Sequence, residues 1–286
     1  RRAFGAAENA EGRGGGAVLK DITLGQFFPG NSFLHKLDPR TKLLLTLGLI
    51  VVVFVSHGFV GFGLILAFVL AATALSGLKL KFLLRGLKPI FFIVAFTFVL
   101  NVFFQNTGNV LVQLGFLKIT DEGLRMALFL AARLVLLVFC TQLLTLTTSP
   151  IALTDGLESL LGPLKKVRFP VHEIAMMMSI ALRFIPTLMD EADKIMKAQT
   201  ARGADFESGN LIQRAKAMVP LLVPLFVGAF RRAEELAMAM EARCYRGGEG
   251  RTRMRTLRYS GRDALAGGLL LALLAAVIAL NALGVV

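Results

Sequence analysis

The chain has 286 residues, 55% of them hydrophobic, and a formal net charge of +13. That apolar share excludes an ordinary soluble domain and calls for several membrane-crossing helices. Two cysteines and three widely spaced histidines supply neither a disulfide framework nor a metal-ligand motif.

Arg1 to Lys20 is polar, with three side-chain-free positions at Gly14, Gly15 and Gly16, and is expected to be a disordered leader without the apolar core of a signal peptide. Apolar runs follow at Leu43–Val55, Phe59–Leu75, Pro89–Phe104, Met126–Leu146 and Ala264–Val286. About 20 apolar residues cross a bilayer as a helix. The five runs therefore predict an all-α polytopic membrane protein with about five transmembrane helices. Residues 1–20 form the leader, 21–148 the first four spans, 149–262 a cytoplasmic coupling domain of long helices and 263–286 the last span.

Lysine and arginine gather before the first span (Lys36, Arg40, Lys42), between the second and third (Lys79, Lys81, Arg85, Lys88) and throughout Lys165–Arg262. The turn at Ser56–Gly58 has none, and Gln105–Thr120 has only Lys118. Short basic loops stay in the cytoplasm. The N-terminus and the region from about Ser149 to Arg262 are thus expected inside, and the C-terminus outside. A rival reading makes Ile174–Met189 and Ala217–Phe230 an additional membrane hairpin. Arg183 interrupts the first and Pro220 and Pro224 the second, so both are expected to slant or lie at the interface.

Within the coupling region, Thr154-Asp155 is expected to cap a short helix that runs to about Leu161. A long helix should follow from Val171 to Arg202, kinked at Pro186 and closed by Gly203 at its C′ position. A second should run from Leu211 to Arg243, capped by Asn210. Each is roughly 45 Å long at the helical rise.

These two helices end in a repeat. Ala192–Gly203 is matched further along the chain by Ala233–Cys244, with Ala192, Ala198, Ala201 and Arg202 in register with Ala233, Ala239, Ala242 and Arg243. An arginine in a last helical turn complements the macrodipole, and that alone would explain either site. The doubled motif asks for more: two tips with forked, charge-assisted donors suit a partner with two similar grooves.

At Ala201-Arg202-Gly203 and Ala242-Arg243-Cys244 the chain resembles the transmembrane T component of energy-coupling factor (ECF) transporters, modular ATP-driven importers of vitamins and transition-metal ions. The stretch His35–Lys42 (H-K-L-D-P-R-T-K) is similar to the segment before that family's first span, and Glu241–Arg253 also looks typical. The resemblance covers about residues 22 to 286. It implies a non-catalytic subunit in a prokaryotic cell membrane, with two ABC-type ATPases bound at the Ala-Arg-small motifs and a separate membrane subunit that captures the substrate. Cys244 stands where the family often has Gly or Ser. ATP would be held by the partners, with no cofactor in this chain. The sequence agrees independently, since it contains no G-x-x-x-x-G-K-[ST] phosphate loop.

Methionines concentrate on the long helices. Met176, Met177, Met178, Met189 and Met218 serve either as plain packing or as an adaptable surface for the substrate-binding subunit. Arg133 sits inside a span, where it either pairs with a carboxylate or reaches the interface. The basic run Arg246, Arg251, Arg253, Arg255, Arg258, Arg262 fits positive-inside orientation and lipid headgroups, with no base-reading module that would make it a nucleic-acid site. Two other classes stay open. A secondary carrier would need inverted halves with ionisable groups near the midplane. A membrane-embedded enzyme would need a convergent constellation that His35, His57 and His172 do not form in sequence.

Overall fold

The computed structural model describes residues 27–104, 109–114, 117–167, 169–206, 210–247 and 256–284. The leader 1–20, the arginines 251, 253 and 255, and the terminal Val286 lie outside the described residues. The chain divides into two units, one of Gly25–Val171 with Arg253–Val286, the other built on His172–Thr252.

In the first unit, helix α1 spans Pro39–Val55. Proline at the first helical position sacrifices only an N–H that is orphaned there anyway, and the Asp38 carboxylate accepts from the Arg40 N–H at 2.9 Å as N-cap. Helix α2 (Phe59–Ser76) ends at Gly77, whose φ of +70° closes it in the left-handed region. Helices α3 (Leu80–Leu87) and α4 (Phe91–Phe104) form a pair bent by 59°. Pro89 sits at the break, where it can donate no backbone hydrogen bond.

An antiparallel ribbon follows, β1 (Val110–Leu114) with β2 (Leu117–Thr120), pairing Gln113 with Lys118 and Leu114 with Leu117. It occupies the connection expected outside and is the one strand pair among the described residues. Thr120 then caps the 27-residue helix α5 (Asp121–Thr147) by accepting from the Gly123 N–H at 3.1 Å. Helix α6 covers Pro150–Leu160, followed by a 3-10 turn at Gly162–Val167. The cap of α6 corrects the sequence expectation. Ser149 accepts from the Ala152 N–H at 3.3 Å and Pro150 begins the helix, whereas Thr154 lies inside it and donates back to the Pro150 carbonyl at 3.0 Å. The Ser-Pro pair outcompetes Thr-Asp because proline is preorganised for the first helical position.

Helix α9 (Gly261–Ala282) completes this unit by packing on α1 and α2, while α5 packs on α1 through α4. Their buried faces supply one core, including Val52, Val53, Ile65, Val69, Leu83, Leu136, Cys140 and Val277. The outward face of α4 stays apolar, with Phe91, Phe92, Phe96 and Phe104 all more than half exposed, as a lipid-facing surface requires.

In the second unit stand the two longest helices, α7 (Val171–Ala201) and α8 (Leu211–Ala242). Their bounds match the sequence expectation to within one residue. Gln213 reaches back to accept from the N–H of the Asn210 cap at 3.2 Å. Five helices are long and apolar enough to cross a membrane: α2, α5, α7, α8 (from Ile212) and α9, or six if the bent α3–α4 pair counts as one. The number agrees with the expected five; the membership differs. Helix α1 has only 17 residues and the third run is bent, while α7 and α8 qualify through their apolar N-terminal halves. The protein is a polytopic, helical membrane protein.

Candidate functional site

The two repeat copies end α7 and α8, and their backbones end in the same way. At the first, the N–H groups of Arg202, Gly203 and Ala204 donate to the carbonyls of Gln199, Thr200 and Gln199 at 3.0 Å each. At the second, the N–H groups of Arg243, Cys244 and Tyr245 donate to Met240, Glu241 and Met240 at 3.1, 2.8 and 3.0 Å. The register that aligns Ala192 with Ala233 also aligns every donor and acceptor in one set with its counterpart in the other. The six-to-one bond from Ala204 to Gln199, with its equivalent from Tyr245 to Met240, is the Schellman closure of a helix C-terminus.

That closure demands a left-handed residue at the position after the arginine. Gly203 has φ +90° and Cys244 has φ +56°, the single positive-φ residue other than glycine among the described residues. Cysteine at the second tip is therefore not simply a small side chain: it sits where the backbone favours glycine. Ala201, Arg202, Gly203, Ala242, Arg243 and Cys244 are all exposed.

One position upstream of the matched stretch, the copies touch. Arg232 Nη2 lies 2.6 Å from Glu191 Oε2, with the two side chains 30% and 27% exposed. Glu191 directly precedes Ala192 and Arg232 directly precedes Ala233, so the two hold the same register in their copies. Gly228 leaves room for the pair, since a Cβ there would stand 3.0 Å from Glu191 Oε1. From this contact to each arginine is eleven residues, about 16 Å of helix on either arm. Sequence reading missed Glu191 and Arg232. Extending the repeat alignment by one residue would have placed opposite charges at equivalent positions.

Of the methionines, Met177, Met178 and Met218 are exposed, while Met176 and Met189 are half-buried. Helix α8 also presents Val219, Val223, Phe226 and Phe230 to the outside at helical spacing.

The segment His35–Lys42 has a different task. It ties the start of α1 to the end of α5 and the start of α9. The Asp38 N–H donates to Asp263 Oδ1 at 2.9 Å, and Asp263 Oδ2 accepts from the Ser260 N–H and hydroxyl at 2.8 Å each. The buried Lys42 ammonium donates to the carbonyls of Thr147 at 2.9 Å and His35 at 3.3 Å. Arg40 lies over the Tyr259 ring, 5.4 Å from its centroid. Gly156 of α6 packs so closely on Pro39 that a Cβ would stand 3.0 Å from it. At the other end of the same helices, Arg133 has no carboxylate partner among the described residues, nor does it lie bare. It sits among the rings of Phe129 (4.8 Å), Phe54 (5.5 Å) and Phe62 (5.9 Å), and its Nη2 reaches the Ser56 carbonyl at 3.3 Å.

Comparison with known proteins gives a consistent picture. Residues 30–254 match the family model CbiQ, described as cobalt transport protein. The chain is 58% identical over 248 residues to the energy-coupling factor transporter transmembrane protein EcfT of Thermosediminibacter oceani, covering 87% of this chain and 93% of that one. It is 60% identical over 250 residues to EcfT of Clostridium kluyveri, with the same coverage. It is 52% identical over 246 residues to EcfT of Bacillus subtilis, covering 86% and 93%.

Proposed function

The chain belongs to the CbiQ/EcfT family of transporter transmembrane proteins, and from that membership we propose that it is the coupling subunit of an ATP-driven importer. In this reading Arg202 and Arg243 dock in matching grooves on two ABC-type ATPases, identical or different. Helices α7 and α8 pass the closure of those ATPases to a separate substrate-binding membrane subunit. The methionine-rich, apolar faces of α7 and α8 would receive that subunit, because methionine adapts to unlike surfaces. The cargo, a vitamin or a transition-metal ion, would be held by the substrate-binding subunit. Basic clustering supports an orientation with the N-terminus and both arginine tips in the cytoplasm and the C-terminus outside.

The observation that carries this reading is the Glu191–Arg232 contact between counterpart residues. It leaves the two arginines equal lengths of helix beyond one contact, an arrangement that would suit a pair of similar motor domains. Affinity purification from native membranes in mild detergent tests it. Two ATPase copies and a small membrane protein should accompany the chain, and recovery of no ATPase would overturn the proposal. In the same cells, Arg202→Glu with Arg243→Glu should abolish uptake and lose the ATPases while the protein stays in the membrane. Full transport by that double variant would reduce the arginines to helix caps.

A further inference from the structure

A polar cleft and an apolar groove meet at the end of the first unit where α1 and α9 begin. The cleft, about 1020 Å³, is bordered by His35, Lys36, Ser149, Arg258 and Arg262. The groove, about 280 Å³, has walls of Leu34, Leu45, Leu49, Phe68, Leu269 and Leu270. Phe33, Leu37, Lys42 and Thr147 line both, so the two spaces share one wall.

The cleft is built for an anion. Lys36, Arg258 and Arg262 are exposed and outside every ion pair found among the described residues. Two carboxylates also line it, Asp38 and Asp155. Asp38 is already engaged, by the Arg40 N–H and by Arg40 Nε at 4.0 Å. The N-termini of α1, α6 and α9 all open onto the cleft, adding their dipoles.

We propose that this composite space binds one anionic phospholipid, with its phosphate among Lys36, Arg258 and Arg262 and one acyl chain in the groove. A free phosphate would satisfy the cleft but leave the groove empty, and a neutral lipid would do the reverse. Only an anionic lipid uses both, and basic pockets between spans at the membrane boundary are where such headgroups bind. The proposal is independent of the coupling role of the arginine tips.

Native mass spectrometry of the full chain, purified in mild detergent and exposed to phosphatidylglycerol, phosphatidylcholine or glycerol 1-phosphate, tests it. A one-to-one phosphatidylglycerol adduct should survive delipidation, with phosphatidylcholine retained at least about tenfold less and glycerol 1-phosphate hardly at all. Arg258→Gln with Arg262→Gln should weaken the phosphatidylglycerol adduct about tenfold. Ala72→Leu, which fills the groove, should also weaken it; if that variant fails to express, Ala71→Leu on the same wall serves instead. Equal retention of the two lipids, or an adduct unchanged by the arginine variants, overturns the proposal. Glycerol 1-phosphate binding as tightly as phosphatidylglycerol also overturns it, by making the site a simple anion pocket.

Discussion

Glu191 of α7 pairs with Arg232 of α8 at 2.6 Å, and each is the other's counterpart in the helix repeat. The pair fixes where the two helices meet and so sets equal arms on either side. Neither side chain is fully buried, so the pair contributes on the order of 1 kcal/mol. Its positional role outweighs its energy. Glu191→Arg or Arg232→Glu alone places two like charges at the contact, and each should lower transport several-fold. Glu191→Arg with Arg232→Glu restores the attraction and should recover most of the activity, as a double-mutant cycle of uptake rates in proteoliposomes would measure. Strict additivity of the two losses would remove the pivot from the account.

The tips make a second prediction. Gly203→Val puts a β-branched side chain at φ +90°, a conformation such residues strongly disfavour. It should unravel the last turn of α7 at a cost of roughly 1–3 kcal/mol. Cys244→Gly moves the other way, relieving about 1 kcal/mol of left-handed strain. Limited proteolysis at the two helix ends should show faster cleavage in the first variant and slower in the second.

The Asp38–Asp263 contact should be costly to break. Asp263→Ala leaves the buried Asp38 N–H without its acceptor and removes the carboxylate that caps α9 through Ser260. An orphaned buried donor costs about 1–3 kcal/mol. Asp263→Asn keeps an acceptor oxygen for that N–H and should lose less. Thermal unfolding in detergent should rank them wild type, Asn, then Ala.

Arg133 offers a fourth. Its guanidinium lies among three phenylalanine rings, a contact worth up to about 2 kcal/mol when desolvated. Arg133→Met keeps the length but not the charge and should lower the unfolding temperature. Arg133→Lys should recover only part of that loss, because an ammonium can neither stack nor fork toward Ser56. Unchanged stability in both variants would show the cage to be incidental.

Much of this fold was legible because its signals are local. The bounds of α7 and α8 follow from Pro170, Gly203 and Asn210, residues whose chemistry acts within one turn. The β1–β2 ribbon was not legible: strands of five and four residues inside an apolar connection leave no periodicity to separate them from a loop. The cap of α6 was ambiguous, since Ser149-Pro150 and Thr154-Asp155 both signal a helix start a few positions apart. The task of His35–Lys42 was hidden by distance. Its chemistry depends on Asp263, 225 residues downstream of Asp38, and no local rule connects them. The arginine tips were legible through the repeat, whereas the Glu191–Arg232 pair lies one residue outside it.

The Asp38–Asp263 bond also sets a schedule for the protein's manufacture. Helix α1 is made well before its neighbour α9, with the whole of α7 and α8 in between. Until Asp263 arrives, the Asp38 amide has no native acceptor, and the core around Val52 and Ile65 lacks Leu273 and Val277. Contacts between residues so far apart in the chain are slow to close. A nascent chain stalled before residue 263 would therefore hold an open bundle, and the first unit closes only after the second has been made.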